Sequence, residues 1–558
     1  MRITRVHIEN YRSIRALDFY PDDYSVLIGD NNAGKSNILR AINLVLGETW
    51  PTDRTFTRED FHGHNSEQDI VIQVYFDTVL EKWKNMSLKV YGFELRGRAY
   101  KRAHRGMPRG TITVDYTCIN EKGETVRYPA EPLQAGKAAK IWYDLKVSRE
   151  FRDSLPLIYI DRLRDYHHQD PSYRWSALRK IINDVSTGIN NDRTMVKVLT
   201  GEGEVKMTRQ QAFEYKMSEA YAYLRNPDLL SIEENIGFSL EQLGFGPRSS
   251  DITVKMTLTD PVDTCRDLHL LVDQMGSSTA AEFAGAGMQS ALVIAVLRAY
   301  AEIKREGAVI AIETPEIFLH PRKVGQFRDA LRDLSIAHQV LIVTHSPEFV
   351  DISRPGEIHL VRRSAQEGTW LINCGPDQFG IEERQEMARL NFEDSGRHQM
   401  FFAAGVVLVA DAVHRLAVSL TARSMTRGLS RAGISVIACG GKSNLLRYAK
   451  IADACGIPYV VVADSGFSQE EEAWGPDYGA AVQPVDQHHR PVNEALRAGI
   501  KGEDLFWLYP DLAAAVGLRA ESPDIQSEIA GYFSSHRAED LPPALVQALR
   551  QIYSLTEG

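Results

Sequence analysis

Apolar and polar positions alternate through ITRVHIENYRSIRALDFYP on either side of a central turn, the pattern of two short strands. YSVLIGD follows as a buried strand. SNILRAINLVLG then repeats apolar residues at helical spacing and closes on Gly47, a helix stop. Between residues 70 and 160 the segments DIVIQVYFD, GTITVDYTCI and LPLIYID predict an antiparallel lobe. From 166 to 247 the chain turns helical and polar (ALRKIINDV, AFEYKMSEAYAYLRN, LLSIEENIGFSLEQLGF), as an inserted element would. Strands resume at DITVKMTL, and 289–303 predicts a nearly all-apolar helix. AVIAIE and HQVLIVTH are apolar strands separated by the helix KVGQFRDALRDLS, which is the signature of a parallel βαβ unit. After a linker near 380–398 a second β/α series is expected: GVVLVAD, a helix, ISVIACGG, a helix, and IPYVVVADSG. The fold class is α/β.

Into this order falls GDNNAGKSN, which fits G-x-x-x-x-G-K-[ST] at Gly29, Gly34, Lys35 and Ser36. It follows a predicted strand and opens a predicted helix, the context in which backbone N–H groups of the loop (Asn32, Ala33, Asn37) cradle phosphates. Lys35 is placed for the β/γ oxygens of ATP and Ser36 for Mg²⁺. A second metal partner belongs at the end of a neighbouring strand, and AVIAIE supplies Glu313. HQVLIVTH ends in His345, placed to sense the γ-phosphate.

Composition narrows the class further. The 558 residues have room for about three or four domains. Their 44% hydrophobic and 25% charged shares are those of a globular protein. A net charge of −10 argues against a wholly basic nucleic-acid binder while leaving room for a local basic face. The five cysteines are scattered with no CxxC pair, so reduced thiols are expected. The N-terminus does not read as a signal peptide, and no apolar run approaches the ~20 residues that span a bilayer. A cytoplasmic protein with no membrane partner is the expectation.

EFAGAGMQSALVIAVLRAY, with Gly285, Gly287 and Gln289 in a turn that opens a helix, resembles the signature motif of ABC-type ATPases. IENYRSI, GDNNAGKSN, GAGMQS, ETPEIFLHP and THSPEF, followed by the second β/α series, resemble the OLD (overcoming lysogenisation defect) family, which includes the Gabija nucleases of bacterial antiphage defence. The resemblance covers almost the whole chain. It implies an ABC-type ATPase head (residues 1–165 and 248–390), a helical dimerisation insertion (166–247) and a Toprim-like parallel domain (395–558). It also implies a homodimer or higher homo-oligomer in which each P-loop faces the partner's signature turn across ATP. Two positions depart from the family pattern in the head. Thr314 stands where a second, water-orienting acid is usual, with Glu316 two residues on, and Ala286 stands at the signature serine. ATP binding is therefore a firmer expectation than rapid hydrolysis.

Toprim nucleases of the family hold two metals with a Glu after the first strand, a second Glu four residues on (V-E-G-x-x-E), and a D-x-D pair after a later strand. Here those places carry Ala410, His414, Asp464 and Gly466, with Asp411 one place off. Asp464 reads either as a turn former before Ser-Gly or as a single metal or phosphate contact. RGRAYKRAHRGMPRG (96–110) brings together Arg98, Lys101, Arg102 and Arg105, either a phosphate-tracking DNA patch or a solvated hairpin tip. The leading expectation is a dimeric, ATP-binding ABC-type ATPase that acts on nucleic acid, with DNA the expected partner, in antiphage defence or repair. Its degenerate Toprim domain is expected to serve as sensor, scaffold or regulator, a separate effector protein being one candidate partner. The alternative is an ATP-regulated, metal-dependent DNA endonuclease. A purely structural SMC-like role lacks the long heptad arms it needs.

Overall fold

A computed structural model describes residues 1–47, 49–83, 86–100, 110–129, 141–161, 193–200, 203–222, 271–274, 277–280, 307–317, 319–373, 395–425, 428–468, 486–518 and 524–556, with isolated positions at 288, 289, 292, 295 and between 380 and 388. Contacts divide the chain into two units, Met1–Arg162 with Glu306–Gly558, and Leu163–Arg305.

The first unit opens with β1 (Ile3–Tyr11), β2 (Ile14–Phe19), β3 (Tyr24–Gly29) and α1 (Lys35–Leu46), followed by β4 (Ile70–Trp83), β5 (Met86–Ala99) and β6 (Ile112–Ile119). Two short strands, β7 (Arg127–Pro129) and β8 (Trp142–Asp144), pair with each other, and β9 (Leu157–Ile160) follows. The second unit contributes β10 (Met195–Thr200), β11 (Gly203–Thr208), α2 (Arg209–Ala222), β12 (Leu271–Gln274) and β13 (Ser277–Ala280). The chain then returns to the first unit with β14 (Val309–Glu313), α3 (Pro321–Leu334), β15 (Gln339–Val343), β16 (Ile358–Ser364) and β17 (Gly368–Asn373).

Eleven of these strands form one sheet in the order β6-β5-β4-β1-β2-β17-β16-β3-β15-β14-β9. From β6 to β16 neighbouring strands are antiparallel. From β16 to β9 they are parallel. The parallel strands β3, β14 and β15 are buried at every position, as strands covered on both faces must be. Helix α1 buries Ile38, Leu39, Ile42 and Val45 against this sheet. Two expectations are corrected here. LPLIYID, assigned to the antiparallel lobe, is the parallel edge strand beside β14, and its uninterrupted apolar run is the parallel-strand pattern. Glu313 is on the next-but-one strand from the P-loop strand, because β15 inserts between them.

In the second unit α2 takes in the described part of the expected helix AFEYKMSEAYAYLRN, whose last four residues lie outside the described residues. The segment before it, read as helical and polar, is instead the antiparallel hairpin β10–β11, with Val198 facing Val205. Its alternating valines and methionines around Gly203 carry period two rather than 3.6. The predicted strand DITVKMTL and most of the helix 289–303 lie outside the described residues.

The C-terminal part of the first unit is a second sheet, ordered β19-β18-β20-β21 and parallel throughout. It comprises β18 (Gly405–Val409), β19 (Ile434–Ala438), β20 (Tyr459–Asp464) and β21 (Leu505–Leu508). Helices α4 (Ala412–Ser424), α8 (Ile525–Ser535) and α9 (Pro543–Thr556) pack with Val407, Val409, Val460 and Val462. Helices α5 (Leu445–Ala454) and α6 (Asp486–Gly499) pack together, α5 against β18 and β20. The short α7 (Leu512–Ala515) follows β21. The first three strands and two helices are those expected, whereas β21 was not foreseen. Cys455 is disulfide-bonded, contrary to the expectation of reduced thiols, while Cys118 and Cys439 are free and buried. Among the described residues no helix is long and apolar enough to cross a membrane.

Candidate functional site

The loop between β3 and α1 has the P-loop shape. Gly34 caps α1 at φ 107°, and a Cβ there would come within 2.3 Å of Thr369 Oγ1 and 2.6 Å of Ser13 Oγ, so only glycine fits. Those two hydroxyls brace the loop from below. The Thr369 hydroxyl donates to the Ala33 carbonyl (2.7 Å) and accepts from the Ser13 hydroxyl (2.8 Å), and Asn37 Nδ2 donates to Ser13 Oγ (2.8 Å). Asn32 is left-handed, and its carbonyl accepts from Arg363 Nη1 at 3.2 Å. Lys35 is buried, and its ammonium donates to the carbonyls of Gly29 and Asp30, both at 2.7 Å. Burial lowers its pKa to about 8 against the upward pull of Asp30 and Glu316.

Ser36 and Glu313, 277 residues apart, meet directly: the Ser36 hydroxyl donates to Glu313 Oε2 at 2.7 Å. The other carboxylate oxygen accepts from the Tyr159 hydroxyl of β9. A hydroxyl and a carboxylate beside a phosphate-shaped loop are hard oxygen donors of the kind that suit Mg²⁺. Glu316 is committed elsewhere. Its carboxylate accepts from Thr344 Oγ1 (2.8 Å) and from the backbone N–H of His345 (2.9 Å), and so braces the loop after β15. Thr314, at the usual place of the second acid, has φ 46°, and its N–H donates to the Val343 carbonyl at 2.6 Å. Gln289 is helical, while Gly285 and Gly287 lie outside the described residues. Sequence reasoning missed Tyr159, Ser13 and Thr369. Their roles arise from strand neighbours far apart in the chain, with no motif to announce them.

The second candidate centre, at the C-terminal ends of β18 and β20, is filled by its own side chains. Asp411 caps α4, accepting from the N–H groups of Val413 (2.8 Å) and His414 (3.1 Å). His414 is buried between two carboxylates, with Nδ1 2.9 Å from Asp411 Oδ1 and Nε2 3.0 Å from Asp464 Oδ1. Burial alone would lower the His414 pKa. The hydrogen bonds and charges of Asp411 and Asp464 outweigh it and raise the pKa to about 10. Asp411 is held down at about 2, because the hydrogen bond and charge of His414 outweigh its own burial. Asp464 Oδ1 also accepts from the N–H of Leu512 at 2.9 Å, the first N–H of α7, whose cap is Asp511. Gly466 stands where a second Asp would be expected, at φ 78°, and a Cβ there would lie 2.6 Å from the His489 ring. Among the described residues no group of three or more His, Cys, Asp or Glu side chains is arranged to hold a metal ion. These residues do not fit a two-metal site, which needs several carboxylates free to face the ions.

Of the expected DNA patch, Arg98 pairs with Asp69 through Nε (3.1 Å) and Nη2 (3.0 Å), and its side chain remains half-exposed. Lys101, Arg102 and Arg105 lie outside the described residues.

A braced P-loop with an acidic strand end, on a sheet half parallel and half antiparallel, joined to a four-stranded parallel domain, defines a P-loop ATPase head carrying a Toprim-type module. Comparison with known proteins agrees. Residues 1–219 and 176–350 match the family described as AAA ATPase domain, and 401–465 match the overcoming lysogenization defect protein-like TOPRIM domain. The chain belongs to this family of ATPases with an OLD-like Toprim domain. It is 25% identical to an OLD nuclease of Thermus scotoductus over 99% of each chain, and 24% identical to the Old nuclease of Escherichia phage P2 over 84% of this chain and 78% of that one. Endonuclease GajA of Bacillus cereus is 21% identical over 69% of this chain and 61% of its own. Among solved structures an SMC head bound to the C-terminal winged-helix domain of ScpA aligns over 69% of this chain and 99% of that one, at 13% identity and a TM-score of 0.37, too low to bear on the assignment.

Proposed function

We propose that the protein is an ATP-gated clamp on DNA, a homodimer or higher homo-oligomer, whose Toprim-like domain no longer cuts and instead serves as scaffold or regulator for a separate effector protein. The observation that carries this reading is His414, which engages both carboxylates of the Toprim centre. The relation to GajA and the OLD nucleases supports a role in antiphage defence.

In the head, Lys35 leaves the carbonyls of Gly29 and Asp30 for the β/γ-phosphates, while the loop N–H groups from Asn32 to Asn37 hold the remaining oxygens. Ser36 and Glu313 hold Mg²⁺, which when bound neutralises charge on the phosphates. His345, its backbone fixed by Glu316, senses the γ-phosphate. Gly285, Gly287 and Gln289 complete the site of the opposing subunit. Thr314 cannot act as a base, because its hydroxyl is far too weak, so turnover is slow and ATP serves mainly to close the dimer. Arg98, Lys101, Arg102 and Arg105 track the DNA backbone.

Retention of intact DNA tests the proposal: wild-type protein with a non-hydrolysable ATP analogue should hold circular DNA, and Lys35→Ala should not. Equal retention without nucleotide would contradict it. A second reading, a metal-dependent endonuclease, is favoured by the end-to-end match to an OLD nuclease.

A further inference from the structure

Glu313 presents two oxygens, and one of them is not explained by the P-loop. Oε2 meets the Ser36 hydroxyl at 2.7 Å. Oε1 accepts from the hydroxyl of Tyr159. The two residues come from adjacent parallel strands, where Tyr159 is level with Ala311, one pleat below Glu313 on the same face. Arg40 of α1 lies close enough to Tyr159 for its charge to act on the phenol.

A carboxylate bound on one oxygen keeps a soft, roughly two-fold rotation about its last torsion. A second donor on the other oxygen removes that freedom. Glu313 is 4% exposed, so water has little access to replace the bond.

We propose that Tyr159 is a positioning residue for Glu313, fixing the carboxylate so that Oε2 faces Ser36 and the Mg²⁺ position is formed before nucleotide arrives. This rests on the reading that the P-loop takes Mg²⁺ with ATP.

The test is binding of a fluorescent ATP analogue to the full-length protein as Mg²⁺ is titrated. Tyr159→Phe removes one oxygen, and its melting temperature is recorded alongside. The expected result is an Mg²⁺ midpoint raised about tenfold, equivalent to about 1.4 kcal/mol. In a Glu313→Gln background, where the carboxylate is already lost, the same substitution should add no further shift. A merely structural role would lower the melting temperature of both backgrounds and leave the midpoint in place. An unchanged midpoint in Tyr159→Phe, with wild type binding normally, overturns this proposal alone. Failure of the wild type to bind nucleotide overturns the nucleotide reading and this proposal with it.

Discussion

The Nε2 atom of His414 lies 3.0 Å from Asp464 Oδ1, across 50 residues of chain, at the point where a Toprim nuclease would bind metal. The buried ring is held from its other side by Asp411. It also joins the start of α4 to the end of β20. Breaking a buried pair by removing one partner leaves the other charge uncompensated and costs about 3 kcal/mol.

His414→Ala should therefore destabilise the protein, by less than the ~3 kcal/mol of a fully buried pair, because the Asp411 and Asp464 carboxylates left behind keep contact with water. pH gives a second readout. The folded pKa of His414, about 10, lies above its usual 6.5, so its contribution is complete below pH 6.5 and is lost as pH rises through 10. Asp411 works oppositely. Held at about 2 against a usual 3.8, it contributes above pH 3.8 and loses that as pH falls through 2. Its half-exposed carboxylate is screened, so its share is small. Thermal melts should show stability declining from pH 6.5 to 10 in the wild type. His414→Gln should flatten that decline, and a parallel decline in the variant would contradict the assignment.

Lys35→Ala should abolish ATP binding, a loss of at least roughly a hundredfold for a charged contact to phosphate. Because burial puts the lysine's pKa at about 8, wild-type affinity should also fall as pH rises through 8, where the free ammonium loses its proton. Titration with a labelled ATP analogue at several pH values reads both effects. Unchanged affinity in the variant would remove the P-loop assignment.

Turnover should be slow, and Thr314→Glu should raise it by about a hundredfold, the lower range of general-base catalysis. Glu316 is not free to act in its place, since Thr344 and the His345 backbone hold both of its oxygens. Steady-state phosphate release measures this. Wild-type turnover at ordinary ATPase rates, unaffected by Thr314→Glu, would show that another residue orients the water.

Local patterns in the sequence were enough to foresee β3, the loop and α1, because strand, glycine turn and helix are contiguous there. The same holds for β14 and β15 and for the first three strands of the Toprim-like sheet, whose apolar runs state their own burial. Partnerships across the fold were not legible. LPLIYID carries no sign of which sheet half it joins, so Tyr159 could not be placed against Glu313. TMVKVLTGEGEVKMT lies in a polar, helix-rich stretch that masked its period-two alternation. His414 was visible as a substitution at a ligand position, but a histidine that bridges Asp411 and Asp464 needs β18 and β20 side by side, and only the parallel pairing brings them there.

DNA cleavage by the purified full-length protein tests the central claim most directly. Plasmid and linear DNA are incubated with Mg²⁺ or Mn²⁺ and ATP, and wild type is compared with Asp464→Ala. The account predicts no metal-dependent cleavage by either protein, with ATP and DNA binding preserved in the variant. Metal-dependent cleavage by the wild type that disappears in Asp464→Ala would contradict it and establish a working nuclease.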